Sequence, residues 1–144
     1  PGATIVMHSM NEEDVRTVMR HPSTMIGSDG IPTLGGKPHP RLYGTFARVL
    51  GRYARDHGVL PLAEAVHRMT GLPAAKFGLA DRGAVREGAF ADLVLFDPDT
   101  VIDVGTYEDP NHPPVGIAHV LVNGVAVVRD GAHTGARPGR ALRR

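Results

Sequence analysis

The sequence predicts an α/β first half joined to an all-β second half, on three observations. Short apolar, β-branched segments flank a helical pattern at the start of the chain, helical spacing then dominates to about residue 80, and strand signals separated by turn residues take over beyond Asp81.

Taken in order, Ala3–Met7 reads as a buried strand. Ser9 and Glu12 then make an S-x-x-E capping box, which predicts a helix running to about Arg20 with Val15, Val18 and Met19 facing inward. His21-Pro22 ends it, because the residue before a proline is driven out of helical angles. Thr24–Gly27 is a second strand, so the opening segment is a βαβ unit, which favours a parallel sheet with a right-handed crossover. A loop rich in Gly and Pro follows. Phe46, Val49, Leu50 and Tyr53 fall at i, i+3, i+4 and i+7, predicting a helix over about Leu42 to His57. A further helix follows Pro61 with Leu62, Val66 and Met69 inward, and a short helical turn after Pro73 carries Ala74, Ala75 and Phe77 with Gly78 as its cap. In the second half, Asp92–Phe96 is a strand stopped by Asp97-Pro98. Ile117–Val122 and Val125–Val128 flank Asn123-Gly124, the pair that a type I′ hairpin requires. The basic tail "GARPGRALRR" reads as solvated or docked in preference to a nucleic-acid arm. A single βαβ unit cannot build a parallel sheet covered on both faces, so the strand edges call for partners from elsewhere.

The totals narrow the function classes. The chain has 144 residues, 42% of them hydrophobic and 5% aromatic, and a formal net charge of +1. That charge offers no field for nucleic acid or an anionic membrane. No Cys is present, which excludes disulfides and thiolate chemistry and makes the cytoplasm the expected compartment. No apolar run reaches the roughly 18 residues of a membrane span. "GIPTLGGK" is close to a phosphate loop, but Ile31 replaces its first glycine and Pro38 stands where a Ser or Thr would hold magnesium. Of the eight histidines none pair at metal-ligand spacing, and no H-E-x-x-H, H-x-H or G-x-S-x-G occurs. His112, His119 and His133 read as surface or hairpin residues of the β half.

The chemistry the residues offer lies in "TMIGSDGIPTLGGKPHPRLYGTF", Thr24 to Phe46. Active sites of parallel α/β folds sit at the carboxyl ends of strands, and Asp29 stands at such an end. A carboxylate there can accept a proton from water, coordinate a metal or accept loop amides. His8, after the preceding strand, can share its rim, and His39 and Arg41 on the returning side of the loop can face it. An Arg fork suits a substrate carboxylate. The plainer reading stands beside each of these: an Asp before Gly is a common turn-former, His8 suits a loop or cap, and His39 between two prolines suits a stiff loop. Spacing alone yields a candidate site and no enzyme.

The blocks "SDG" and "HPRLYGTF", then "MTGLPAAKFGL", "GAFADLVLFDP" and "GIAHVLVNGVAVVRDG", resemble the carboxyl-terminal portion of N-acyl-D-amino-acid deacylases, the D-aminoacylase branch of the metal-dependent amidohydrolase superfamily, from near Ile5 to near Arg143. The resemblance implies the last βα units of a (β/α)8 barrel over residues 1–80, with Ala3–Met7 and Thr24–Gly27 as strands seven and eight, and part of a small β-sandwich over 81–144. It implies zinc-dependent hydrolysis of N-acyl-D-amino acids, with Asp29 as general base and possible metal ligand. Ser28 and Gly30 would shape the strand tip. Ser28, His39 and Arg41 are assigned to substrate binding, His39 and Arg41 to the substrate carboxylate from their position. The main metal ligands of that family lie upstream of these residues, so the chain is expected to be a portion that is inactive alone and completed by an amino-terminal barrel part, with zinc in the complete enzyme and neither nucleic acid nor membrane as partner. Alternatives are a portion of a hydantoinase- or dihydroorotase-like cyclic amidohydrolase, or a non-catalytic module docking on a partner barrel half.

Overall fold

The computed structural model describes residues 5–32 and 36–142. Its first half is helical. Helix α1 (Glu12–Arg20) is capped by Asn11, whose side chain accepts the Glu13 amide at 2.9 Å. The expected Ser9–Glu12 box is therefore not the cap: Asn is an equally good capping residue, and it lies next to the first helical residue. His21 leaves the helix with extended angles, as the following proline demands. Helix α2 (Arg41–Arg48) runs without a break into a π-wound segment, Val49–Asp56, where the His57 amide donates to the carbonyl of Arg52. Helix α3 (Leu62–Met69) follows Pro61, and α4 (Gly71–Phe77) ends at Gly78, which takes the left-handed angle (φ 71°) that a glycine cap supplies.

The second half forms one antiparallel sheet in the order β1 (Leu93–Phe96), β2 (Ile117–Val122), β3 (Val125–Arg129) and β4 (Ala132–His133). Val122 pairs with Val125 across the Asn123-Gly124 turn, and both turn residues have positive φ (49° and 81°), the type I′ geometry that the dipeptide predicts. The tip is held by neighbours. Asp92 accepts the Asn123 amide, Arg82 reaches both Asp92 and the Asn123 side-chain oxygen, and the Asn123 amide group donates to the Pro138 carbonyl. That last bond, with Arg140 stacked on Phe90, docks the described part of the tail.

The strands expected at the start are not formed. Of Ala3–Met7, Ala3 and Thr4 lie outside the described residues, while Ile5–Met7 and Thr24–Gly27 join no ladder. A strand exists only beside a hydrogen-bonded neighbour. The Ile26 amide instead donates to the carbonyl of Arg68, and Ile5 and Met7 stay exposed. The βαβ expectation is corrected accordingly.

The core gathers Met19, Ala47, Val49, Leu50, Tyr53, Ala54, Val59, Leu60 and Ala65 from the helical half, together with Val101 from the loop between β1 and β2. Val18, Phe46 and Leu62, expected inward, are exposed, whereas Ala65 is fully buried. Small Ala faces let the helices approach closely, and the bulkier neighbours then sit at their margins. Gly51 serves the same purpose. A Cβ there would lie 2.2 Å from the Val101 carbonyl, so only glycine lets the loop reach the π-wound segment. Arg55 fastens that contact by donating to the carbonyls of Asp99 (3.1 Å) and Val101 (2.9 Å). Among the described residues no helix is long and apolar enough to cross a membrane.

Candidate active site

Asp29 occupies a tight turn between Thr24–Gly27 and the Gly- and Pro-rich loop. Its φ of 47° is left-handed, a conformation that Asp tolerates better than most residues and that places its carboxylate in solvent. The positive φ agrees with the turn-forming reading of Asp29. Ser28 fixes the turn from both sides: its hydroxyl accepts the Gly30 amide at 3.3 Å, and its carbonyl accepts the Thr45 hydroxyl at 3.4 Å. Gly30 lies close against α2, where a Cβ would come within 3.2 Å of the Leu42 Cα.

Arg41, the first residue of α2, closes on Asp29 with Nη2 3.1 Å from Oδ2. Its Nε is buried without a hydrogen-bond partner. His39 serves the same helix start. Its Nδ1 accepts the Arg41 amide at 3.0 Å, and its carbonyl accepts the amide of Leu42. These two bonds satisfy amides that the first helical turn leaves open. The stiff-loop reading of His39 is thereby given a definite task.

His8 and His39 flank the ring of Tyr107, edge-on at 4.7 Å and 5.2 Å between ring centroids. Together they border an open cleft of about 830 Å³ whose walls also include Glu12, Arg41, Arg48, Tyr53 and Asp103. Asp29 stands outside the lining, at the far side of Arg41. Asp103 is anchored by Arg48 at 2.7 Å, and the Tyr53 hydroxyl donates to Glu12 at 3.4 Å. Burial raises the Tyr53 pKa, and the Glu12 carboxylate adds to the effect. Tyr107, Asp103 and Arg48 were not singled out from the sequence. Tyr107 and Asp103 lie more than 60 positions beyond His39 and Arg41, in a polar turn-rich loop whose residues announce only that it bends.

Burial holds the His39 pKa below 6.5, the cations Arg41, His8 and Arg48 add to this, and Asp29 opposes them. The neutral ring keeps Nδ1 free to accept the Arg41 amide. Because the folded pKa is depressed, the unfolded chain takes up its proton first as pH falls. The stability linked to neutral His39 is therefore complete above 6.5 and is lost as pH drops through the lowered folded value. His39→Gln should flatten this part of the curve. Urea midpoints of the two proteins between about pH 7.5 and pH 5 check it, and parallel slopes would contradict it.

Among the described residues no three His, Cys, Asp or Glu side chains come together as a metal site. Zinc takes three or four protein ligands in protein sites, so these residues do not by themselves make a zinc centre.

Comparison with known proteins places this arrangement. The chain is 53% identical over 142 residues to D-aminoacylase of Alcaligenes xylosoxydans xylosoxydans, covering 99% of this chain and 29% of that protein. Its fold matches the crystal structure of D-aminoacylase with a TM-score of 0.90 and 56% identity, over 94% of this chain and 28% of the other. It matches N-acyl-D-glutamate deacylase of Bordetella bronchiseptica, solved with zinc and a phosphonate inhibitor that mimics the tetrahedral intermediate, with a TM-score of 0.84 and 50% identity over the same shares. The chain therefore spans less than a third of the relatives it matches. The amidohydrolase family model matches residues 3–128, and with helices, loop and sheet superposing on solved members, this chain belongs to the amidohydrolase family.

Proposed function

We propose that this chain is the carboxyl-terminal portion of a zinc-dependent enzyme that hydrolyses the amide bond of N-acyl-D-amino acids. The observation that carries the reading is the close likeness to deacylases of that class over nearly the whole chain. The exposed Ile5 and Met7 support it, since they lie on a segment that would join the rest of a barrel. In this reading residues 1–80 supply the last βα units of the (β/α)8 barrel and 81–144 a share of the β-sandwich. The zinc ligands, zinc being present in the Bordetella relative, would come from outside the described residues.

In this reading Asp29 is the residue of the chain that moves protons. Its exposed carboxylate can accept a proton from the attacking water and return it to the leaving amine. Arg41 holds that carboxylate from one side. When substrate enters, the same guanidinium can turn its fork to the carboxylate of the amino acid, with His39 fixing the start of its helix and Ser28 fixing the turn.

The test is a rebuilt enzyme in which this chain replaces the matched 142-residue segment of the Alcaligenes D-aminoacylase. The chimera is expected to release free D-amino acid from N-acetyl-D-methionine and to leave hydantoin untouched. A folded, metal-loaded chimera with no such activity would overturn the reading.

A further inference from the structure

The loop between β1 and β2 reaches back across the molecule to the helical half and ends at the candidate site. Asp103, nearly buried, is pinned by Arg48 through both Nε (2.9 Å) and Nη2 (2.7 Å). Ile102 and Val115 close the neck of the loop with a bridge. Gly105 packs against the fully buried Pro110, where a Cβ would fall 2.9 Å from the Pro110 carbonyl. The Thr106 amide donates to the Asp109 carbonyl at 3.0 Å, and the Thr106 hydroxyl accepts the Asp109 amide at the same distance. The tip bearing Tyr107 is thus a braced turn.

That tip touches the substrate-side loop at two points. The Tyr107 ring meets the His39 ring nearly perpendicular, at 84°, the geometry that aromatic edges favour. The Asn111 side chain donates to the Gly36 carbonyl at 3.2 Å. His39 then passes the constraint on. Its Nδ1 can accept the Arg41 amide only while the ring keeps its orientation, and Arg41 opens the helix whose guanidinium meets Asp29.

We propose that Tyr107 is a positioning residue: its ring holds His39 edge-on, and His39 in turn holds the backbone at Arg41 so that Arg41 is aimed at Asp29 and at the substrate carboxylate. The inference rests on the deacylase reading of the site. It also makes residues on the two sides of position 81 parts of one device, because the second half supplies the brace and the first supplies the residues it aims.

The experiment uses the rebuilt enzyme. Tyr107→Ala should raise KM for N-acetyl-D-methionine about tenfold with kcat within about twofold, because the loss falls on substrate orientation. Tyr107→Phe, which keeps the ring edge, should match the parent in both constants. Tyr107→Leu keeps apolar bulk without a ring edge and should share the KM defect, which covers the case in which the Ala variant does not fold. An unchanged KM in the folded Ala or Leu variant overturns the assignment, and so does a Phe variant as impaired as the Ala variant. An inactive parent chimera is a different failure: it sinks the deacylase reading itself.

Discussion

Asp29→Asn in the rebuilt enzyme is expected to lower kcat by roughly 10²- to 10⁴-fold, the range over which a positioned general acid or base acts. The substitution isolates the charge. Asn has the same shape, and like Asp it accepts the left-handed angle that the turn imposes, so the fold of Ser28–Gly30 should persist. The ion pair to Arg41 is lost, but Asp29 is largely exposed and such pairs contribute at most about 1 kcal/mol, too little to unfold the loop. What disappears is a proton acceptor beside Arg41, which itself lines the cleft. KM should change little, and bound metal should stay near the parent level if the ligands lie elsewhere. Turnover equal to the parent's, with metal content unchanged, would remove Asp29 from the proton-transfer role. A parallel loss of metal would make it a ligand.

The sequence carries the β half almost residue by residue. Asn123-Gly124 dictates the turn and the pairing beside it, which shifts only at the irregularity between Val120 and Leu121. The observed sheet differs from the expected strands by one residue at each of two boundaries, Asp92 and Arg129, and by the two-residue β4. Helices were legible where a strong local signal ends them, as at His21-Pro22 and Gly78. Two kinds of feature were not legible. Strand character in Ile5–Met7 and Thr24–Gly27 depends on hydrogen-bonded neighbours, which these segments lack among the described residues, so an apolar β-branched run alone could not decide it. Which helix face turns inward depends on tertiary packing: Ala65 and Gly51 are buried because close approach needs small residues, and their hydrophobicity does not report this. The site divides the same way. Asp29, His39 and Arg41 fall within one stretch of 13 residues and were visible as a group. Tyr107 joins them only through the folded loop, and nothing in its local sequence connects it to them.

Arg68→Met is expected to destabilise the chain by about 1–2 kcal/mol, read as a lower urea midpoint at unchanged slope or a Tm lower by roughly 2–8 °C. Arg68 is 4% exposed, an unusual place for a guanidinium, and its bonds explain why it is there. Nε donates to Glu64 at 2.6 Å, and Nη1 donates to the carbonyls of Met19 and of His21 (2.6 Å). Those carbonyls close helix α1, where the His21 and Thr24 amides and the Thr24 hydroxyl serve the carbonyls of Val18 and His21, Arg68 serves that of Met19, and a positive charge is favoured by the helix dipole. Met would fill most of the same space and bury slightly more apolar surface, worth about 1 kcal/mol. Against that gain stands the Met19 carbonyl, left without a donor at about 1–3 kcal/mol where water cannot reach it, whereas the His21 carbonyl loses a charged donor but keeps the Thr24 amide at 3.0 Å. Glu64 is partly exposed and can return to solvent, so its loss adds little. The orphaned Met19 carbonyl therefore decides the sign. Arg68→Lys should recover only part of the loss, because one ammonium cannot reproduce a fork that spans Glu64 and the α1 terminus at once. If Arg68→Met shifts stability by less than about 0.5 kcal/mol, the Met19 carbonyl must be finding water, and the buried guanidinium would not be what ties α1 to α3.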